Sequence, residues 1–189
     1  AVGAQFIRDL DPGEIAIVDK GRITFDRSHC NKAPKRLCVF EYIYFARPDS
    51  KLEGCNVHNF RKESGRRLYR QRPTMADIVV GVPDSSHSAA MGYSEESGIP
   101  LEVGLVKSRY IGRTFIKPSQ ALRTQAVRIK LNPIESAVKG KRVIMIDDSI
   151  VRGTTSKRLV QILRRAGAKE VHFRVSSPPV KFPCYLGID

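Results

Sequence analysis

The adjacent carboxylates of Asp147 and Asp148 are the residues of this chain best suited to carry chemistry. They follow the apolar run 143–146, and a Gly-Thr-Thr segment at 153–155 lies at the start of a predicted helix. Backbone N–H groups and hydroxyls at a helix N-terminus bind phosphate, whereas paired carboxylates suit ribose hydroxyls or Mg²⁺. We therefore expect this loop to bind a molecule that carries a phosphate at one end and a polyol at its middle.

The sequence of this loop disfavours two other interpretations. A bare Asp-Asp pair is often a solvent-facing strand end that caps the next helix, but the apolar strand before it and the Gly-Thr-Thr segment after it favour a ligand site. The loop lacks the Gly-Lys-Ser/Thr ending of a Walker loop and the Gly-x-Gly-x-x-Gly of dinucleotide-binding proteins. Neither of those phosphate sites is therefore expected.

Strand–loop–helix–strand segments must position these residues. Around the loops 81–86 and 147–156 we predict strands at 78–80, 142–146 and 171–175, with helices at 87–97 and 157–166. This order predicts an α/β fold with a mostly parallel sheet flanked by helices, in which ligands lie at the carboxyl ends of the strands.

The rest of the chain has weaker signals. We predict a hairpin at 15–25, a basic linker at 26–36, a strand at 38–45, a solvated helix with a basic face at 56–72, a short strand at 100–103 and a long basic segment at 107–132. In the predicted strand 38–45, we expect Tyr42, Tyr44 and Phe45 to be core residues and not a platform for stacking bases.

The charge balance limits the class of partner. The 189 residues include 33 Lys and Arg against 19 Asp and Glu, which gives a net charge of +14. Basic stretches at 20–72 and 104–174 flank an acidic stretch at 73–103, without the interleaved aromatic residues of a nucleic-acid interface. No run reaches the ~18 apolar residues of a membrane span. We expect an anionic small substrate, no membrane or nucleic-acid partner, and a cytoplasmic protein.

The segment 143–155 resembles the phosphoribosyl pyrophosphate (PRPP) motif of type I phosphoribosyltransferases. Further segments are similar to the glutamine PRPP amidotransferase family, which catalyses the first committed step of purine synthesis: FEYIYFARPDS at 40–50, GVPDSS at 81–86, RYIGRTFI at 109–116, PSQALR at 118–123 and SSPP at 176–179. The resemblance implies the type I phosphoribosyltransferase fold, with a short β-hairpin appendage at the N-terminus.

The resemblance also implies the site residues. Catalytic roles fall to Lys107, Arg109, Asp147 and Asp148, and Mg²⁺ would be held at Ser85, Asp147 and Asp148. The PRPP-binding residues implied are Asp84, Ser85, Ser86, Asp147, Asp148, Ser149, Ile150, Val151, Arg152, Gly153, Thr154, Thr155 and Ser156.

The implied reaction is displacement of pyrophosphate from PRPP by ammonia, which gives 5-phosphoribosylamine. The implied partners are PRPP, ammonia, purine nucleotide inhibitors and further copies of the chain in a homo-oligomer. The alternative function is a non-catalytic module that senses PRPP. A base-specific phosphoribosyltransferase is disfavoured because the similarity extends beyond the shared motif.

The family also suggests what lies outside this chain. Its glutaminase domain begins with a nucleophilic Cys, whereas residue 1 here is Ala. We expect 1–36 to be the end of such a domain plus a linker, and 37–189 to be a phosphoribosyltransferase domain truncated at its C-terminus. Cys38 and Cys184 match two ligands of the family's [4Fe–4S] cluster, which we expect in the parent protein and not in this fragment. Cys30 and Cys55 are expected to be free thiols.

Overall fold

The computed structural model describes residues 3–108, 131–151 and 153–182, and the chain divides into two compact units, Ala1–Cys38 and Val39–Asp189. Within the described residues the strands are β1 (Ile15–Asp19), β2 (Arg22–Asp26), β3 (Lys51–Leu52), β4 (Cys55–Asn56), β5 (Ile78–Gly81), β6 (Leu105–Lys107), β7 (Leu131–Pro133), β8 (Arg142–Asp147) and β9 (Glu170–Val175). The helices are α1 (Val57–Gln71), α2 (His87–Ser97), α3 (Glu135–Val138) and α4 (Thr154–Arg165), with one π-helical turn at Glu41–Phe45. None of these helices is long and apolar enough to cross a membrane.

The first unit contains the predicted hairpin, which is confirmed. Strands β1 and β2 pair antiparallel, and the turn between them places Lys20 and Gly21 at φ 43° and 77°. Glycine adopts positive φ without strain, so the turn can be only two residues long. Glu14, just before β1, has a buried side chain that accepts two hydrogen bonds from Arg8 at 2.8 and 2.9 Å. These bonds hold the pKa of Glu14 down at about 2.

A parallel sheet in the order β5-β8-β9 forms the centre of the second unit, as predicted. Strand β8 is buried on both faces, which explains its continuous apolar sequence. Alternate residues face opposite layers: Val143 and Met145 pack with α3 and α4, whereas Ile144 and Ile146 pack with α2. The two flanking layers therefore fix β8 from both sides.

The register of the sheet brings two loops together. Gly81, the last residue of β5, pairs with Ile146, one residue before the end of β8. The N–H of Val82 continues the ladder by donating to the carbonyl of Ile146 at 2.9 Å. The loops that leave β5 and β8 consequently start side by side at the carboxyl edge of the sheet.

Helices α1 and α2 cross at an unusually short distance. A Cβ added at Gly65 would lie 1.9 Å from the carbonyl oxygen of Ala89, and one added at Gly92 would lie 1.8 Å from that of Lys62. Only glycine at both positions lets the two backbones approach this closely. The helix predicted at 56–72 is confirmed as α1, but one side of it is packed against α2.

The basic face of α1 has partners within the chain. The sequence predicted a solvated face, whereas Lys62 and Arg66 pair with Glu95 of α2 at 2.6 and 2.8 Å, and Arg70 pairs with Glu96 at 2.8 Å. Partly exposed pairs of this kind each contribute about 0–1 kcal/mol. The acidic stretch 73–103 therefore neutralises part of the positive charge of 20–72.

The strand predicted at 38–45 is wrong. This segment contains the π-helical turn Glu41–Phe45, in which Ile43 is buried and Tyr44 and Phe45 are 53% and 49% exposed. No strand in the described part of the chain pairs with this segment, and the carbonyls of Tyr42 and Ala46 accept hydrogen bonds from Arg61 instead. The core role predicted for Tyr44 and Phe45 is therefore also wrong.

Two smaller predictions need adjustment. The strand predicted at 100–103 is reduced to one parallel bridge, between Leu101 and Val79. Helix α4 begins at Thr154, three residues before the predicted start. Gly153 immediately precedes the helix at φ 72°, a left-handed conformation that suits glycine. The loop therefore ends at Gly153, and the helix begins at the next residue.

Asp77 ties the start of β5 to the start of β8, and this contact predicts a pH dependence. Its carboxylate accepts from the Arg142 guanidinium at 2.8 Å and from the Arg142 backbone N–H at 2.7 Å, so its pKa falls to about 2. A depressed folded-state pKa stabilises the fold above the unfolded value near 3.8, and that stabilisation disappears as the pH falls toward 2. At pH 7 the free energy of unfolding of Asp77→Asn should therefore be lower than that of the wild-type protein, and the difference should vanish near pH 2. Urea unfolding at a series of pH values measures this difference. A constant difference across that range would contradict this account.

Candidate functional site

A cavity of about 1140 Å³ opens at the carboxyl edge of the parallel sheet, within the second unit. Three segments line it: the turn and its continuation at 44–48, the loop after β5 at 82–85, and the loop from the end of β8 into α4. Lys107 at the end of β6 also contributes. The cavity lies where the α/β topology predicts a ligand.

Serine hydroxyls and one backbone N–H hold the two carboxylates in the cavity. Asp147 Oδ1 accepts from the backbone N–H of Asp148 at 2.9 Å and from the Ser86 hydroxyl at 3.2 Å. Asp148 accepts from the Ser149 hydroxyl at 2.6 Å and from the Ser85 hydroxyl. Both residues are buried, at 8% exposure, so these bonds replace most of the contact that their carboxylates would make with water. The pair is fixed before any ligand arrives.

Burial and the neighbouring Asp148 raise the pKa of Asp147 to about 6. Two carboxylates in a poorly solvated site repel each other, and a bound cation would relieve that repulsion. The geometry therefore favours a cation, or a ligand that donates hydrogen bonds, next to Asp147.

The start of α4 faces the same cavity. Gly153, Thr154, Thr155 and Ser156 line it, and the hydroxyl-bearing residues 154 and 155 are exposed. Their position in the first turn of a 12-residue helix places N–H groups without intrahelical partners beside the hydroxyls. This arrangement suits a phosphate group, because the helix dipole adds to the hydrogen bonds.

Lys107 forms an ion pair with Asp84 across the cavity. Both side chains are partly exposed, at 42% and 71%. Pairs of this exposure contribute about 0–1 kcal/mol, so a multiply charged anion can compete with Asp84 for the ammonium group. The contact keeps Lys107 near the cavity and leaves it available to a ligand.

The oxygen donors of Ser85, Asp147 and Asp148 fit Mg²⁺ in chemical type, because Mg²⁺ prefers hard oxygen ligands. No group of three or more His, Cys, Asp or Glu side chains in the described part of the chain could hold a metal by itself. Mg²⁺ commonly takes one or two carboxylates and completes its shell with water and substrate phosphates. The residues present therefore fit a metal that arrives with an anionic substrate.

The structure brings most of the predicted site residues together. Those that line the cavity are Asp84, Ser85, Lys107, Asp147, Asp148, Ser149, Ile150, Val151, Gly153, Thr154, Thr155 and Ser156. Ser86 is 1% exposed, and its hydroxyl bonds to Asp147 behind the cavity surface. Cys38 belongs to the other unit and is exposed. The predictions for Arg109, Arg152 and Cys184 lie outside the described residues.

Sequence reasoning missed several residues of the cavity: Tyr44, Phe45, Arg47, Arg61 and Arg158. For Arg61 a signal was present. It lies four residues from Val57 and four from Gly65, and these three are the buried residues of α1. A cation at the centre of a buried helical stripe marks a specific contact, because Arg is rarely buried without partners.

Comparison with known proteins agrees with this geometry. The family model described as phosphoribosyl transferase domain matches residues 64–177. The amidophosphoribosyltransferase of Bacillus subtilis is 55% identical over 188 residues, covering 100% of this chain and 39% of that protein. That of Archaeoglobus fulgidus is 53% identical over 190 residues, covering 100% and 41%. The chain thus spans about two fifths of the length of these relatives.

Solved structures give the same result. A glutamine PRPP amidotransferase from Bacillus subtilis, complexed with ADP and GMP, superposes with a TM-score of 0.80 at 54% identity over 97% of this chain and 40% of that one. A structure described as the allosteric regulatory enzyme of purine biosynthesis gives a TM-score of 0.78 at 54% identity, over 97% and 39%. The predicted type I phosphoribosyltransferase fold is confirmed.

Proposed function

This chain belongs to the phosphoribosyl transferase domain family, and on that premise we propose that it transfers the phosphoribosyl group of PRPP to ammonia and releases pyrophosphate. One observation carries the proposal: the carboxylates of Asp147 and Asp148 share a cavity with the first turn of α4. A phosphate cradle beside an acidic pair fits a sugar phosphate whose hydroxyls face the carboxylates.

Each part of the cavity has a role in this proposal. Asp147 and Asp148 accept hydrogen bonds from the ribose hydroxyls, while the loop 149–156, of which residue 152 is not described, binds the 5-phosphate. Ser85 and Lys107 lie at the pyrophosphate end, and Asp84 releases Lys107 when the pyrophosphate arrives. Ser86 acts behind the site by holding Asp147.

In the reaction, the bond between the anomeric carbon and the pyrophosphate oxygen breaks, a carbon–nitrogen bond to ammonia forms, and the nitrogen loses a proton to solvent. The electron pair of the broken bond leaves with pyrophosphate, so no side chain has to act as a nucleophile. Mg²⁺, held through Asp147, Asp148 and Ser85, would supply charge neutralisation of the leaving group. The chain itself contributes binding, orientation and the Lys107 cation.

The finer assignments are also proposals. We assign 1–36, which includes the hairpin, to the end of a glutaminase domain plus a linker, and 37–189 to the transferase domain. In the longer relatives, glutamine would supply the ammonia. From the resemblance we also propose inhibition by purine nucleotides, assembly into a homo-oligomer, a cytoplasmic location and a catalytic role for Arg109. Cys38 and Cys184 match two of the four thiolate ligands of the family's [4Fe–4S] cluster, so we propose that they contribute to such a cluster in the parent protein.

Pyrophosphate release tests the proposal directly. We expect release from PRPP with Mg²⁺ and ammonia at alkaline pH, because free ammonia and not ammonium is the nucleophile. We expect none when Mg²⁺ is removed with EDTA. PRPP binding without pyrophosphate release when both Mg²⁺ and ammonia are present would contradict the transferase and favour the PRPP-sensing module.

A further inference from the structure

Arg61 is a buried cation whose two hydrogen bonds reach the same short segment. It is 4% exposed, on the buried face of α1. Its Nε donates to the carbonyl of Tyr42 at 2.6 Å, and Nη2 donates to the carbonyl of Ala46 at 2.9 Å. The planar guanidinium can make both bonds at once because its N–H groups form a rigid fork.

The segment that Arg61 holds is the π-helical turn Glu41–Phe45. The backbone bond from Ala46 N–H to the carbonyl of Glu41, at 3.0 Å, closes this turn. Carbonyls near the C-terminal end of a helical turn carry partial negative charge, so a cation stabilises them. The ring of Tyr42 also contacts the ring of Phe60, the neighbour of Arg61 on α1, at 4.8 Å between ring centroids.

The same turn forms one wall of the cavity. Tyr44 and Phe45 are about half exposed and line the cavity together with Arg61. Burial lowers the pKa of Arg61, and the attraction of Asp148 opposes that shift. Arg61 therefore lines the same cavity as the two aromatic residues and is within electrostatic reach of Asp148.

We propose that Arg61 is a positioning residue, which clamps the turn Glu41–Phe45 so that Tyr44 and Phe45 form a fixed wall of the PRPP cavity. If the wall is already ordered, PRPP does not have to order it on binding. A site that adopts its binding-competent form only part of the time binds its ligand more weakly, in proportion to that fraction. The kinetic half of this inference rests on the proposed function, whereas the clamp itself does not.

The experiment compares Arg61→Gln and Arg61→Lys with Arg67→Gln. Arg67 is a matched control, because it carries the same charge on the same helix but is 78% exposed and pairs with Glu63. The first measurement is hydrogen exchange of the Ala46 N–H. We expect exchange at least ~10-fold faster in Arg61→Gln, since a lost hydrogen bond to a charged group has about this effect. We expect an intermediate rate in Arg61→Lys and a wild-type rate in Arg67→Gln.

The second measurement is pyrophosphate release. In Arg61→Gln we expect the KM for PRPP to rise at least ~3-fold with kcat within about twofold, because the variant loses preorganisation and no catalytic group. Arg67→Gln should match wild type.

Wild-type exchange at Ala46 in a folded Arg61→Gln would overturn the clamp. If that variant does not fold, Arg61→Lys decides, and wild-type exchange in it overturns the clamp equally. Faster exchange with unchanged KM would overturn the role in positioning the site. If the wild-type chain releases no pyrophosphate, the proposed function fails, while the exchange measurement still decides the clamp.

Discussion

Asp147→Asn is expected to reduce pyrophosphate release with PRPP, Mg²⁺ and ammonia by about 100- to 1000-fold, and Asp148→Asn should do the same. An amide has nearly the shape of a carboxylate but lacks the charge that holds Mg²⁺ and strengthens the bonds to ribose hydroxyls. Losing one fixed electrostatic contact in a catalytic site has an effect of this size. Initial rates of pyrophosphate release, with PRPP varied, measure the loss.

The same substitution should make the unliganded protein more stable at neutral pH. The pKa of Asp147 is raised to about 6 in the folded state, against 3.8 for an ordinary Asp. A raised folded-state pKa means that stability is lost as the pH rises through about 6. The shift corresponds to at most about 3 kcal/mol at pH 7. The Asn oxygen can still accept from the Asp148 N–H and the Ser86 hydroxyl, so Asp147→Asn should raise Tm by a few degrees without Mg²⁺.

If Asp147→Asn loses activity while its Tm rises, the loss comes from the site and not from misfolding. Asp19→Asn is the matched control, because Asp19 is an exposed carboxylate of the hairpin and does not line the cavity. It should retain activity and Tm close to wild type. Full activity in Asp147→Asn would contradict the assignment of the carboxylate pair.

Gly65→Ala is expected to destabilise the protein by about 3 kcal/mol or more, which corresponds to a Tm lower by roughly 6–12 °C. The added Cβ would lie 1.9 Å from the carbonyl oxygen of Ala89, which is a backbone atom and cannot rotate away. Helices α1 and α2 would have to separate, and the apolar contacts between them would loosen. The higher helix propensity of Ala offsets only about 1 kcal/mol of this cost.

Thermal unfolding followed by circular dichroism measures the effect. Arg67→Ala is the control on the same helix, because Arg67 is exposed and its ion pair with Glu63 contributes at most about 1 kcal/mol. A Tm for Gly65→Ala within 2 °C of the control would mean that the two helices can move apart at little cost. That result would contradict the close crossing.

The sequence by itself determined the parallel sheet and the position of the loop 147–156 at its edge. A four-residue apolar run can be buried on both faces only in the middle of a sheet, and two Asp residues after it must lie at the carboxyl edge. The motifs at 81–86 and 143–155 were among the segments that carried the family resemblance, because their residue types meet local backbone and ligand requirements. These are properties of short segments, so the sequence could reveal them.

Only the tertiary structure decided the contacts between distant segments. The segment 38–45 has strand-favouring residues, but it contains a π-helical turn. Arg61, 19 positions after Tyr42, donates hydrogen bonds to the carbonyls of Tyr42 and Ala46 at the two ends of this turn. The basic face of α1 has the pattern of a solvated surface, and it is Glu95 and Glu96 of α2 that neutralise it. That contact in turn depends on Gly65 and Gly92, whose missing side chains let the helices touch. Such pairings join residues far apart in the chain, and local pattern carries no information about which partner each will meet.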